Sequence, residues 1–301
     1  MLTAEIPAMG MARGLRGAGD LWQPLRAASG LAVCRQKSSV SFLTRPDRPN
    51  LAYHRLKGRN PGVIFLPGFN SNMNGQKATA LEDFCSSLGH AFVRFDYTGC
   101  GSSSGNFEEC TTGKWRKDVL SMLDELTDGP QILVGSSLGG WLMLHAAIAC
   151  PDKVAALVGV AVAADHVVTT FKRLPTETQK EIEEKGEWKF PTKYNEEGYY
   201  SVTYDFIKEA ENHCLLSGPI PITCPVRLIH GMKDSDVPWQ ISMQVADSVI
   251  FFPGSDFRKD GPPTMEGRGT CVVTRPRPTL HFPFPCLGCK GCPSALCFEW
   301  H

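Results

Sequence analysis

Residues 131–134, Gln-Ile-Leu-Val, run straight into Gly135-Ser136-Ser137-Leu138-Gly139, and residues 140–149 continue as an almost wholly apolar segment. A short apolar run bounded by glycine reads as a buried strand, and the longer run after it as a buried helix. G-x-S-x-G needs that placement. Its glycines permit a tight strand-to-helix turn that lifts the central hydroxyl above the sheet. Ser137 is therefore the candidate nucleophile, with Ser136, one position off the centre of the motif, as the second candidate. The backbone N–H of Leu138, at the start of the helix, points to where an oxyanion would form.

Outward from this turn the chain alternates. Strands are predicted at 62–66, 91–95, 154–162 and 225–229, and helices at 76–88, 113–127 and 138–149. Buried strands alternating with helices predict an α/β fold with a mostly parallel sheet flanked by helices. Segments 39–44 and 51–57 suit an antiparallel hairpin at one edge. Residues 166–218, rich in charge and aromatics, break the rhythm and suit a small helical cap over the site. The domain so defined spans 38–249.

Three further segments follow core strands. Leu66-Pro67-Gly68-Phe69 ends the first, where the Phe69 N–H can serve as the second oxyanion donor. Residues 96–105, with glycines at 99, 101 and 105, do not fit the dinucleotide fingerprint and read as a structural loop. His230 to Pro238 follows strand 225–229. A carboxylate there can reach across to orient a histidine, so Asp234 is the candidate acid and Asp236 the second choice. His230 reads as a structural residue of the strand end.

F-L-P-G-F-N-S-N-M (65–73), R-F-D-Y-T-G-C-G-S-S-S-G (94–105), V-G-S-S-L-G-G-W (134–141) and L-I-H-G-M-K-D (228–234) together resemble the α/β-hydrolase superfamily, and within it the mitochondrial palmitoyl-protein thioesterases. The resemblance covers roughly 38–249. It implies a serine esterase or thioesterase that uses no cofactor. The implied substrates are acylated proteins, through S-depalmitoylation, and small acyl esters such as acyl glucuronides.

In this fold the catalytic histidine follows the acid in the chain. After Asp234 only His281 and His301 remain. His281 lies in Arg277-Pro-Thr-Leu-His-Phe-Pro283, without a strand-then-loop context, so no catalytic histidine is identified. His145 is expected against the sheet and His166 near the active face. The resemblance stops at about Val249, which predicts a truncated C-terminal end and impaired catalysis. The alternative is a catalytically silent hydrolase fold that acts as a binding or regulatory module.

The two ends differ from the middle. Residues 11–45 hold Arg13, Arg16, Arg26, Arg35, Lys37 and Arg45 against the single acid Asp20, the composition of a mitochondrial transit peptide over 1–37. That address implies the mitochondrion, in its matrix. From 251 to 301, eight Pro and six Gly among 51 residues mark a low-complexity tail expected to be disordered. Its Cys271, Cys286, Cys289, Cys292 and Cys297, with His301, match no four-ligand spacing, so no metal site is expected. Basic and acidic side chains balance at 31 each, which argues against a nucleic-acid partner bound by bulk charge. No apolar run approaches the roughly 18–20 residues of a membrane span. The sequence carries no signal of oligomeric state.

Overall fold

A computed structural model describes residues 39–249, 264–266 and 270–275. In chain order the elements are β1 (Ser41–Arg45), β2 (Arg48–Leu56), β3 (Arg59–Leu66), α1 (Gln76–Leu88), β4 (His90–Phe95), α2 (Thr112–Leu126), β5 (Gln131–Ser136), α3 (Leu138–Ala149) and β6 (Val154–Val160). There follow α4 (His166–Lys172), α5 (Thr176–Lys185), β7 (Glu187–Pro191), β8 (Tyr199–Thr203), α6 (Tyr204–Ala210), β9 (Val226–Gly231), α7 (Gln240–Ser248), β10 (Thr264–Glu266) and β11 (Thr270–Arg275).

One sheet has the order β1-β2-β4-β3-β5-β6-β9-β11-β10. Strands β4, β3, β5, β6 and β9 run parallel, and the β1–β2 hairpin joins them antiparallel through β4. Period-two alternation divides β3 between two cores. Ile64 and Leu66 pack with Trp115, Trp141 and Leu142 of α2 and α3, while Val63 and Phe65 pack with Ala78 and Cys85 of α1. Both faces are thus covered, which is why these strands are apolar throughout. Helix α1 stops at Gly89, whose φ of 72° lets its N–H reach back to the Cys85 and Ser86 carbonyls.

Two expectations change. The cap is not wholly helical, because β7 and β8 form an antiparallel pair between α5 and α6. Trp188 and Phe190 point inward while Glu187 and Lys189 stay exposed, the alternation of a half-buried strand. The tail is not strandless either. Thr270–Arg275 pairs antiparallel along β9, from Thr270 opposite Gly231 to Arg275 opposite Val226, and β10 pairs with it. An open edge on β9 would leave a row of unpaired backbone groups. The run Thr270-Cys-Val-Val-Thr274, β-branched but for Cys271, supplies their partners. The proposed leader, His281, His301 and the cysteines at 286, 289, 292 and 297 lie outside the described residues.

One buried ion pair ties the edge hairpin to the body. The Asp118 carboxylate receives Arg45 Nη1 at 2.7 Å and the Thr98 N–H at 2.8 Å. Both charged side chains are nearly sealed from water, at 6% and 3% exposure. Breaking one half of such a pair leaves an uncompensated charge. Asp118→Ala is therefore expected to cost about 3–5 kcal/mol of unfolding free energy, read from the urea midpoint.

Candidate active site

Ser137 joins β5 to α3 at φ 54°, ψ −119°, a conformation that costs a non-glycine residue about 1–3 kcal/mol. Three hydrogen bonds hold it there. Its N–H donates to the Val160 carbonyl at 2.9 Å, and its own carbonyl accepts from Gly140 at 2.9 Å and Ala163 at 3.1 Å. The flanking glycines answer to space. A Cβ on Gly139 would sit 2.2 Å from the Leu66 carbonyl oxygen, and one on Gly135 would sit 2.5 Å from that of Gly139. Helix α3 thus starts in backbone contact with the end of β3.

The Gly68-Phe69 segment passes directly over the serine. A Cβ on Gly68 would lie 3.3 Å from Ser137 Cβ and 3.9 Å from its Oγ. Tyr97 fixes this segment by donating its hydroxyl to the Pro67 carbonyl at 3.1 Å. The Phe69 ring is held edge-on by four others, Phe107, Trp115, Tyr200 and Phe206, with centroids 5.5–5.9 Å away. Leu138 opens α3, where first-turn N–H groups have no intrahelical acceptor.

Asp234 stands in the loop after β9. Its Oδ1 accepts the N–H groups of Asp236 at 3.0 Å and Val237 at 3.1 Å. His230 is buried beneath it, with Nδ1 2.7 Å from the Ser242 hydroxyl and Nε2 donating to the Val237 carbonyl at 2.9 Å. Asp234 Oδ2 lies 3.7 Å from that Nε2. Burial pushes the His230 pKa down, against the pull of the Val237 carbonyl and Asp234. His230 therefore braces the loop. Asp236, the second choice of acid, turns its carboxylate to the cap, where Oδ2 accepts from the Thr192 hydroxyl at 2.5 Å.

Ser137, Leu138, Phe69 and Asp234 line one cavity of about 420 Å³, together with Ser136, Asp236 and His166. The cap supplies an apolar wall of Phe190, Tyr200, Val202 and Phe206, and the β3–α1 segment a polar one that includes Asn70, Asn72 and Lys77. Lys77 has its pKa lowered by burial, an effect opposed by Asp234. Among the described residues, His166 is the histidine lining this cavity. Both ring nitrogens are engaged, Nε2 donating to the Asp236 carbonyl at 2.8 Å and Nδ1 facing the Thr170 hydroxyl at 3.3 Å. Burial holds its pKa below the usual histidine range.

His145 packs toward the cap as well as into α3. Its Nε2 donates to the His213 carbonyl at 2.9 Å, and its ring meets that of His213 at 5.4 Å. Burial drives its pKa from 6.5 to about 4. An unfolded chain then binds a proton that the folded one refuses, so stability is full above pH 6.5 and falls as pH drops toward 4. The expected loss at pH 5 is about 2 kcal/mol. His145→Gln should flatten the urea midpoint between pH 7 and 5.

The aromatic ring cluster around Phe69 was not legible in the sequence, since its members are spread from 69 to 206 with no local period.

Residues 61–209 match the family model described as alpha/beta hydrolase fold. The chain is 69% identical over 220 residues to the mitochondrial palmitoyl-protein thioesterase ABHD10 of Rattus norvegicus, covering 73% of this chain and 74% of the relative. Among solved structures it is similar to alpha/beta hydrolase domain-containing protein 10 from mouse, at 68% identity and a TM-score of 0.69, covering 71% of this chain and 86% of that one. A putative hydrolase from Agrobacterium vitis follows at 28% identity and a TM-score of 0.66, with the same coverage of both chains.

Proposed function

Because this chain belongs to the α/β-hydrolase family, in its ABHD10 group, we propose that it is a serine hydrolase of acyl thioesters and esters. It works through an acyl-enzyme on Ser137. The observation that carries this is the junction of three backbones at one point: the strained Ser137, the Gly68-Phe69 segment so near that a Cβ on Gly68 would touch the Ser137 side chain, and the α3 terminus. In the first step Ser137 Oγ attacks the acyl carbon, and the carbonyl oxygen takes up negative charge facing the Phe69 and Leu138 N–H groups. The tetrahedral intermediate then expels the thiol or alcohol, and water releases the acid from the ester on Ser137.

The relatives are named mitochondrial palmitoyl-protein thioesterases, and the mitochondrion is accordingly the place of action; the Arg-rich, acid-poor leader composition supports the matrix as the compartment. S-palmitoylated proteins are the main substrate class. The apolar cap wall suits the acyl chain. The polar 70–77 wall suits a hydrophilic leaving group, which extends the class to acyl glucuronides.

Proton transfer is the weak point of the 301-residue chain. Asp234 can orient a histidine, but His166 is committed to Asp236 and Thr170, and His281 has no strand-loop setting in the sequence. We infer that turnover is impaired. His166's engagement also favours a second reading, a silent module that binds acyl ligands in the same cavity. To test the acyl-enzyme, the full chain is incubated with palmitoyl-CoA and imidazole, quenched in acid and mapped by mass spectrometry. A palmitoyl adduct on the Ser137 peptide, absent in Ser137→Ala, is expected. No adduct, or one unaffected by that substitution, sinks the proposal.

A further inference from the structure

Asp236 offers three groups in three directions. Its carboxylate Oδ2 accepts the Thr192 hydroxyl at 2.5 Å and the Lys193 N–H at 3.3 Å, both at the end of the β7–β8 hairpin. Its carbonyl accepts His166 Nε2 of α4 at 2.8 Å. Its N–H donates to Asp234 Oδ1 at 3.0 Å. Two separate parts of the cap thus converge on a residue whose backbone, with that of Val237, also holds the candidate acid. We propose that Asp236 is a positioning residue, a clasp that shuts the cap hairpin over the cavity and sets the Asp234 carboxylate in the same act.

The rest of the cap is fastened elsewhere. Gly113 donates to Glu209 at 3.1 Å, Trp141 Nε1 to the His213 carbonyl at 3.1 Å, and Leu215 and Leu216 to Asp165 at 2.7–3.0 Å. None of these involves the acid loop. The strands of the hairpin also pack through Tyr200 on Phe69 and Phe190 on His166. Among the described residues, however, the polar bonds that hold its tip to the acid loop are those to Asp236 and the Lys193 Nζ to Ser235 bond at 3.2 Å, so the tip can swing while α6 stays docked. Tyr194, which lines the cavity and is 54% exposed, marks the rim that such a movement opens. When the clasp releases, the acid loop loses the anchor beside Asp234, so an open cap and a misaligned acid are one state.

The clasp rests on cap geometry and not on hydrolysis. Its test is hydrogen exchange of the full chain, followed by mass spectrometry, in Thr192→Val and Thr192→Ser. Valine keeps the shape and removes the hydroxyl; serine restores it. Losing a hydrogen bond to a charged acceptor corresponds to about a tenfold change in an opening equilibrium. In Thr192→Val, exchange is expected to rise about tenfold in both 192–203 and 234–237, with β5 peptides unchanged and Thr192→Ser like the wild type. A pyrene-labelled fatty acid bound in the cavity should also leave about tenfold faster. Wild-type exchange in Thr192→Val overturns the clasp. So does faster exchange confined to 192–203, which would show that the acid loop does not sense the cap. If β5 protection falls too, Asp236→Asn is read in its place by the same two segments. Failure of the fatty acid to bind counts against the acyl cavity, while exchange still decides the clasp.

Discussion

Imidazole added to the 301-residue chain is expected to raise hydrolysis of p-nitrophenyl butanoate by about 10²-fold over the chain alone, in an increment that Ser137→Ala removes. The reason is a division of labour in the site. The Ser137 turn, the Gly68-Phe69 segment and Asp234 meet at one cavity, but no described histidine there has a nitrogen to spare. Removing the base from such a site costs about 10⁶ in turnover, as much as removing every member, and only the oxyanion and binding effects remain. A small base diffusing into the 420 Å³ cavity restores proton transfer from Ser137 without its orientation. Imidazole also attacks p-nitrophenyl esters in free solution, so the increment is measured against Ser137→Ala in the same buffer. An equal rate in both proteins would mean that Ser137 is not the nucleophile.

The second large effect concerns the fold. Gly139→Ala is expected to cost at least about 4 kcal/mol, enough to deplete the folded state of a marginal domain. Its Cβ would lie 2.2 Å and 2.4 Å from the carbonyl oxygens of Leu66 and Pro67. Both are backbone atoms at the end of β3, and neither can retreat without parting α3 from the sheet. Gly218 meets nothing within 4 Å, so Gly218→Ala serves as the control and should stay within about 0.5 kcal/mol. Urea unfolding of the two variants separates a specific clash from a general intolerance of alanine.

Much of the fold can be read from residue order. Helix α1 occupies 76–88 as its pattern predicts, and the edge hairpin, β4, α2, β5 and α3 fall within a few residues of expectation. Strand β6 stops at Val160 and not at 162, because Ala161 takes a φ of 48° that ends pairing. The cap hairpin escaped because its strands are five residues each, and β7 breaks its apolar pattern with the exposed Glu187 and Lys189. Strand β11 escaped because its β-branched run is embedded in Pro- and Gly-rich sequence, and only the open edge of β9 gives it a partner. The site divides in the same way. Ser137 and the Gly68-Phe69 segment belong to local motifs, and their meeting follows from the strand order. Asp234 and Asp236 are two residues apart in one loop, and nothing local says which faces the cap. That choice is made by Thr192, 44 positions away. The occupancy of His166 by the Asp236 carbonyl is equally a product of tertiary contact.

The most direct measurement is ester turnover by the purified full chain without added imidazole, with Ser137→Ala and His281→Ala beside it. The account predicts that all three hydrolyse p-nitrophenyl butanoate at one slow rate, because the serine lacks a placed base. Fast turnover abolished by Ser137→Ala would contradict it, and loss in His281→Ala as well would identify the base.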